Sequence, residues 1–255
     1  MIALRTALSF LTVLPVAPRQ AAVALSPARA YFPLVGLMLG GALAGLDAGL
    51  RQPFPLLLVG ALLIAATLAL TRALHFDGLL DSCDALFGGF DRSRRLEILR
   101  DPRVGSFAVA GGVSLLLVKW AAVVAIAGPI RLEVLILFPC LSRWGVVMAM
   151  QAFPYVREQG LGSGFQQGRT LTQVAVGLAT VLVAAVLLAG GAGAILVVAV
   201  TITVWVAGSW MTRLLGGLTG DSYGAINEIG EVSVLLLAIA MWKGAPSLFD
   251  SPLGG

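Results

Sequence analysis

The sequence alternates between long apolar runs and shorter polar connections. A helix needs about 20 apolar residues to cross the hydrocarbon core of a bilayer. Runs of that kind lie near residues 30–50, 55–73, 105–127, 131–152, 172–189, 193–213 and 231–248. The pattern predicts an all-α, polytopic membrane protein with about seven transmembrane helices, six or eight being the alternatives. No composition shift marks a soluble domain or a linker, so residues 1–255 are predicted to form a single integral membrane domain.

The first 17 residues are apolar apart from Arg5 and precede the prolines Pro15 and Pro18. They could be a signal peptide, for which residues 22–24 would suit cleavage. We favour a retained re-entrant or interfacial segment because the prolines end the apolar run abruptly.

The connections between the runs fall into two classes. Those at 51–55, 128–130 and 190–192 are short and nearly uncharged, whereas 74–104, 153–171 and 214–230 are long and polar. Counting through seven spans places the three long connections on one side of the membrane. Six arginines lie between Arg72 and Arg103, so the positive-inside rule predicts that this side, with the active site, faces the cytoplasm.

Composition and charge further limit the classes of protein to which the chain could belong. Hydrophobic residues make up 58% of the chain and charged residues 12%, about half the usual ~25% of a soluble domain. The net charge of +4 is better explained by arginines at one membrane face than by nucleic-acid binding. The chain has one histidine and two separated cysteines, which excludes multi-histidine zinc sites and argues against a disulfide framework.

A stripe of carboxylates stands out in the connection 74–104. Asp77, Asp81 and Asp84 follow at i, i+4 and i+7 and would share one face of a helix. Carboxylates so spaced repel each other unless a cation lies between them. Oxygen ligands favour Mg²⁺, Mn²⁺ or Ca²⁺, and Mg²⁺ is usual where phosphates complete the shell. We therefore predict a Mg²⁺ site on this catalytic segment, an ordinary solvated face being the alternative.

Downstream, the glycine pair at 88–89 is expected to end that helix before Asp91, a candidate fourth metal ligand. A cluster of arginines follows. Guanidinium groups bind phosphate oxygens in a bidentate manner, although contact with anionic lipid head groups would explain the same cluster. The candidates for substrate phosphate are Arg92, Arg94, Arg95 and Arg103.

The other two polar connections supply further candidates. Glycines let the backbone approach a ligand closely, and an aromatic ring could stack on a base. Plain flexibility and, for an acid near a helix start, interaction with the helix dipole are the alternatives. The candidate substrate-binding residues here are Tyr155, Arg157, Gly162, Thr219, Tyr223 and Glu228. His75 could act as a general base, and Asp221 could complete a metal shell or orient a hydroxyl nucleophile.

Taken together, these motifs resemble the adenosylcobinamide-GDP ribazoletransferase family, also called cobalamin (5′-phosphate) synthase. The resemblance covers about residues 5–235. It is carried by SFLTVLPVAP, YFPLVGLMLG, RALHFDGLLDSCDALFGGFDRSRRLEILRDPRVGSFA, PYVREQGLGSGF and GGLTGDSYGAINE.

The resemblance implies a membrane enzyme that needs Mg²⁺ and joins adenosylcobinamide-GDP to α-ribazole or its 5′-phosphate with release of GMP. In that reaction His75, Asp91 or Asp221 could take the proton of the attacking hydroxyl, and the residues alone do not rank them. The expected location is the bacterial cytoplasmic (inner) membrane. The expected partners are these substrates and the bilayer, without nucleic acid.

Two other functions fit parts of the pattern. A CDP-alcohol phosphotransferase-like lipid synthase would share the aspartate stripe, the metal and a nucleotide leaving group. Its motif differs, because Gly78 is followed here by Asp81 and Asp84 and not by Ala-Arg. A cation-coupled transporter would use the intramembrane charges Asp47, Lys119 and Arg143, but most acids cluster at one face and not at the midplane.

Overall fold

A computed structural model describes residues 1–17, 25–156 and 161–252, with side chains from residue 164 onward in the last range. Within these ranges the chain is helical and contains no strand beyond an isolated bridge between Tyr155 and Leu218. The α-helices are α1 (Ile2–Leu11), α2 (Leu25–Ala28), α3 (Phe32–Leu50), α4 (Leu56–Thr71), α5 (Leu74–Gly88), α6 (Arg92–Ile98), α7 (Ser106–Ala125), α8 (Arg131–Ala152), α9 (Leu161–Gln166), α10 (Leu171–Leu215) and α11 (Gly220–Gly244).

Helix α10 is 45 residues long, but it folds into two antiparallel arms. Ala189 and Gly190 interrupt it, with φ and ψ of −132° and 18° and of 52° and −133°. Trp144 of α8 contacts both arms: its Nε1 donates to Thr201 Oγ1 at 3.0 Å, and its ring lies beside Gly177. In a straight helix Gly177 and Thr201 would be about 36 Å apart. The chain therefore turns back at residues 189–190.

The number of membrane crossings follows from this turn. By length and hydropathy, five segments of the described chain can span a membrane, and α10 is one of them. The 16-residue α4 passes the same test together with α5, from which it is bent by 93°. Counting the two arms of α10 separately and adding α4 gives about seven crossings, in agreement with the all-helical membrane protein predicted from the sequence.

The last span begins earlier than predicted. The sequence pattern placed it at 231–248 and treated 214–230 as a polar connection, but α11 begins at Gly220 and ends at Gly244. A capping box starts the helix: the Thr219 side chain accepts from the Ser222 amide, and the Ser222 side chain accepts from the Thr219 amide. Ser222, Asn227 and Glu228 in its first turns are buried and do not face solvent. The connection is thus mostly helix.

The N-terminal segment packs against the end of α4. Helix α1 has ten residues and is too short to cross a membrane. The amide of Val13 donates to Leu70 O at 2.8 Å, and Arg72 Nη2 donates to Ser9 O at 2.9 Å. Arg72 and Ala73 have positive φ values of 54° and 53°, which produces the sharp change of direction between α4 and α5. As a result α1 and the start of α5 come close enough to line one cavity.

Candidate active site

A cavity of about 280 Å³ lies among α1, α3, α5, α8, α9 and α11. Apolar and aromatic side chains make up much of its wall, and two carboxylates belong to it. The lining includes Phe10, Phe32, Asp77, Tyr155, Asp221 and Tyr223. A mostly apolar pocket with a few polar groups is the usual form of a small-molecule site.

The two carboxylates come from helices that touch through glycines. Asp77 lies on α5 and Asp221 on α11. A Cβ on Gly78 would be 2.8 Å from Asp221 O, and one on Gly224 would be 2.8 Å from His75 O. Only residues without a side chain permit this approach. The contact therefore brings Asp77 and Asp221, predicted separately from the sequence, to one cavity.

The rest of the predicted carboxylate stripe has different surroundings. Asp81 lies one turn after Asp77 on the same face of α5 and is half-buried. Asp84 accepts hydrogen bonds from the amides of Gly105 at 2.6 Å and Ala108 at 2.8 Å. Both of its oxygens thus cap the start of α7. The geometry supports a structural role for Asp84, and its role as a metal ligand stays a prediction.

No group of three or more His, Cys, Asp or Glu side chains in the described ranges is arranged to hold a metal ion by itself. Mg²⁺, however, is commonly bound by one or two carboxylates and completed by substrate phosphates and water. The carboxylate oxygens of Asp77, with those of Asp81 one turn away on α5, fit a site of that open kind better than a closed protein cage.

Asp91 lies at the start of α6 and does not line the cavity. Its Oδ1 accepts from the Ser93 hydroxyl at 2.6 Å and from the Arg94 amide at 2.9 Å. These hydrogen bonds, led by that from Ser93, lower the pKa of Asp91 below its ordinary value. The arrangement is that of a helix N-cap, so the predicted roles of Asp91 as base and metal ligand lack support from the geometry.

The predicted phosphate-binding arginines are also outside the cavity wall. Arg92 Nε donates to Leu215 O at 2.8 Å, which ties α6 to the end of α10. Arg94 pairs with Glu97 at 2.7 Å, and Arg103 pairs with Asp101 at 2.6 Å. Arg95 is half-buried against Gly89. Their contact with substrate stays a prediction.

A buried charge network lies next to the cavity. His75 lines the cavity, and its Nδ1 is 3.4 Å from Arg143 Nη2. Arg143 pairs with Glu231, which also pairs with Lys119. Lys119 Nζ is 2.8 Å from Glu228 Oε2. Glu228, predicted to bind substrate, is thus buried in an ion pair, and His75 lies beside a fixed cation.

The three intramembrane charges that a transporter would use lie in two separate groups of ion pairs. Asp47 accepts three hydrogen bonds from Arg131 and pairs with Arg51 at 2.8 Å. Lys119 and Arg143, in contrast, share Glu231. Each of these intramembrane charges therefore has an ion-pair partner of opposite sign, which is the usual solution for a buried charge.

Of the other predicted substrate-binding residues, Tyr155 and Tyr223 line the cavity. The rings of Tyr155 and Tyr223 are stacked with centroids 6.0 Å apart and an interplanar angle of 15°. Thr219 is fully buried and caps α11, while Gly162 lies in α9. Arg157 lies outside the described residues.

Three phenylalanines form a further part of the wall. The ring of Phe165 lies 4.7 Å from that of Phe10 and 5.5 Å from that of Phe32. No spacing rule links these three positions, because they come from α1, α3 and α9. Each lies in a stretch that carries the family resemblance.

Comparison with known proteins assigns the chain to a family. The profile of the cobalamin-5-phosphate synthase family matches residues 3–239, nearly the whole chain. The chain belongs to this family. Relatives named adenosylcobinamide-GDP ribazoletransferase occur in Roseiflexus sp. (strain RS-1), Stutzerimonas stutzeri and Desulfitobacterium hafniense. The first is 39% identical over 90% of this chain and 86% of its own length.

The second relative is 40% identical, over 92% of this chain and 97% of its own length. The third is 37% identical, over 92% of this chain and 95% of its own length. No solved structure matches the chain. Membership in this family makes the chain an enzyme and confirms the resemblance seen in its motifs.

Proposed function

We propose that the protein is a Mg²⁺-dependent adenosylcobinamide-GDP ribazoletransferase. It would join adenosylcobinamide-GDP to α-ribazole or its 5′-phosphate, giving adenosylcobalamin or its 5′-phosphate and GMP. The observation that carries the proposal is the placement of Asp77 and Asp221 in one cavity of a chain that belongs to the cobalamin-5-phosphate synthase family.

The reaction is a phosphoryl transfer. A ribose hydroxyl forms a new P–O bond to the diphosphate phosphorus on the corrinoid side, the bond to the GMP oxygen breaks, and the hydroxyl proton leaves. Such reactions depend on positioning and neutralisation of charge more than on covalent catalysis. When bound, Mg²⁺ would neutralise charge on the diphosphate and on the departing GMP. Asp77 and Asp81 would hold it, with phosphate oxygens as further ligands.

Asp221 is the base that the geometry favours among the three candidates. It lines the cavity, and Thr219 Oγ1 lies 3.4 Å from its Oδ2, which orients the carboxylate. Asp91 caps α6 outside the cavity, and His75 Nδ1 faces Arg143. Asp221 would accept the hydroxyl proton, while the stacked rings of Tyr155 and Tyr223 offer an aromatic surface to a base or ring.

The cavity would open toward the cytoplasm. The start of α5, the end of α8 and the start of α11 line it. The end of α10, just before α11, is tied to α6 by the hydrogen bond from Arg92 Nε to Leu215 O. Arginines concentrate on this side, whereas Arg51 and Lys243 lie near the opposite helix ends. The positive-inside rule supports a cytoplasmic, inner-membrane orientation for this distribution. Both nucleotide substrates would then enter from the cytoplasm.

The test is GMP formation by the purified protein in detergent with adenosylcobinamide-GDP, α-ribazole 5′-phosphate and Mg²⁺. GMP should appear only with both substrates and the metal, in equal amount to the cobalamin product. Asp77→Asn should lower the rate by about a hundredfold or more, the scale on which loss of metal-ligand or electrostatic stabilisation acts.

Asp101→Asn is the matched control, because Asp101 is an acid of the same polar segment that pairs with Arg103 away from the cavity. It should keep most of the activity. Absence of GMP from well-folded wild-type protein would contradict the proposal and direct attention to CDP-alcohol substrates.

A further inference from the structure

Two arginines beside the cavity have no part in the function as proposed so far. Arg29 lies just after α2 and is fully buried, while Arg169 lies just before α10 and is exposed. Within the described ranges, neither has an ion pair with a carboxylate; their partners are amide and carbonyl oxygens. They differ in this from Arg131 and Arg143, which are buried and paired with acids.

The guanidinium of Arg29 is held in place by neutral groups. Its Nε donates to Gln173 Oε1 at 2.6 Å, and its Nη2 donates to Gln151 Oε1 at 3.1 Å and to Thr170 O at 3.3 Å. Its Nη1 is buried and has no hydrogen-bond partner in the described chain. A buried donor without a partner is costly, and a charged one more so, unless a ligand satisfies it.

Arg169 connects this position to the cavity wall. Its Nη1 donates to Met150 O at 3.3 Å and to Gln166 Oε1 at 3.0 Å. Gln166 Nε2 in turn donates to Tyr223 Oη at 2.6 Å. Met150 and Tyr223 both line the cavity. The two guanidinium groups therefore adjoin the cavity at the wall that also carries the stacked tyrosines.

The electrostatics of the pair call for an anion. Burial disfavours the charge on Arg29, and the like charge of the neighbouring Arg169 disfavours it further. Phosphate oxygens are suitable acceptors, because a guanidinium donates to two of them at once. We propose that Arg29 and Arg169 form a subsite for a phosphate group of a nucleotide substrate. This inference rests on the proposed function, whose substrates carry such a group on either the acceptor or the guanosine side.

The experiment measures binding to the purified protein by calorimetry with two matched pairs of ligands. One pair is α-ribazole 5′-phosphate and α-ribazole, and the other is GMP and guanosine. In at least one pair the wild-type protein should bind the phosphorylated member about tenfold tighter or more, as expected for charge-assisted hydrogen bonds. Arg169→Gln should remove most of that preference without changing the affinity for the unphosphorylated member. If Arg169→Gln loses the preference within the α-ribazole pair, the subsite binds the phosphate of the acceptor substrate. If it loses the preference within the guanosine pair, the subsite binds the phosphate of the guanosine side.

Arg213→Gln is the control, because Arg213 is exposed in the last turn of α10 and belongs to no part of the cavity wall. Arg29→Gln should act as Arg169→Gln does, and the exposed Arg169 keeps the test decisive if the buried change prevents folding. Unchanged phosphate preference in both arginine variants, with GMP formed normally, would overturn the subsite alone. Lack of GMP formation by the wild type, with the preference still dependent on Arg169, would instead contradict the proposed function.

Discussion

Asp84 binds the backbone amide of Gly105, 21 residues further along the chain, at 2.6 Å. This hydrogen bond links α5 to the start of α7 and engages one of the carboxylate oxygens. The other oxygen accepts from the amide of Ala108. One acid of the predicted stripe is therefore a helix cap, while Asp77 on the same helix faces the cavity.

The two acids should consequently differ in the effect of their removal. Asp84→Ala should lower the free energy of unfolding by about 1 kcal/mol, as the loss of an N-cap does, and leave the Mg²⁺ concentration for half-maximal activity unchanged. Asp77→Ala should abolish activity with little change in thermal stability. Thermal unfolding in detergent and Mg²⁺ titration of activity check both. A large rise in the Mg²⁺ requirement of Asp84→Ala would restore it as a metal ligand.

This difference shows what the sequence could and could not predict. The i, i+4, i+7 spacing and the glycine pair at 88–89 are local signals, and α5 indeed ends at Gly88. The caps and ion pairs are not local: Asp84 meets an amide of α7, and Glu228 meets Lys119. For the same reason the start of α11 was placed too late, because polar residues that pair across helices have the sequence pattern of a solvated loop.

The glycine contact between α5 and α11 should be sensitive to added volume. Gly224→Ala would place a methyl group 2.8 Å from His75 O, so the helices must separate and Asp221 must move relative to Asp77. Activity should fall by about tenfold or more, because small misplacements of catalytic groups are costly. Gly45→Ala on α3 meets nothing within 4 Å and is the matched control. Equal activity of the two variants would show that the contact does not set the site.

The proposed base can be distinguished from the other two candidates by substitution. Asp221→Asn should lower kcat by about a hundredfold or more and remove the acid limb of the pH–rate profile. Asp91→Asn should retain most of kcat and an unchanged acid limb, because Asp91 caps α6. His75→Gln is informative as a third variant. If its profile alone lost the acid limb, His75 would be the base.

The pairing of Asp101 with Arg103 has a measurable signature in pH. Hydrogen bonds from Arg103 lower the pKa of Asp101 from 3.8 to about 2. The charged form is thus favoured in the folded state, so the contact is fully present above pH 3.8 and is lost as pH falls through about 2. Carboxyl NMR should give that midpoint, and Arg103→Gln should move it up toward 3.8. An unmoved midpoint would indicate that Arg103 is free for another ligand.

Removal of the central acid in the buried charge network should destabilise the bundle. Glu231→Gln would leave Lys119 and Arg143 with one carboxylate, Glu228, for two buried cations. Breaking a buried pair in this way costs about 3 kcal/mol or more. Glu97→Gln, at an exposed pair with Arg94, should have little effect on the same thermal unfolding measurement. Comparable stability of both variants would mean that the network is not essential to the fold.

The turn at Ala189 and Gly190 has a consequence for the reaction itself. A chain that crosses a bilayer changes side at every crossing, so an odd number of crossings between two residues separates them. From Asp77 to Asp221 the chain passes through α7, α8 and the two arms of α10, which makes an even number. Were α10 a single straight span, Asp221 would lie on the opposite side of the membrane from Asp77. Two residues of non-helical backbone thus decide that both carboxylates share one aqueous compartment.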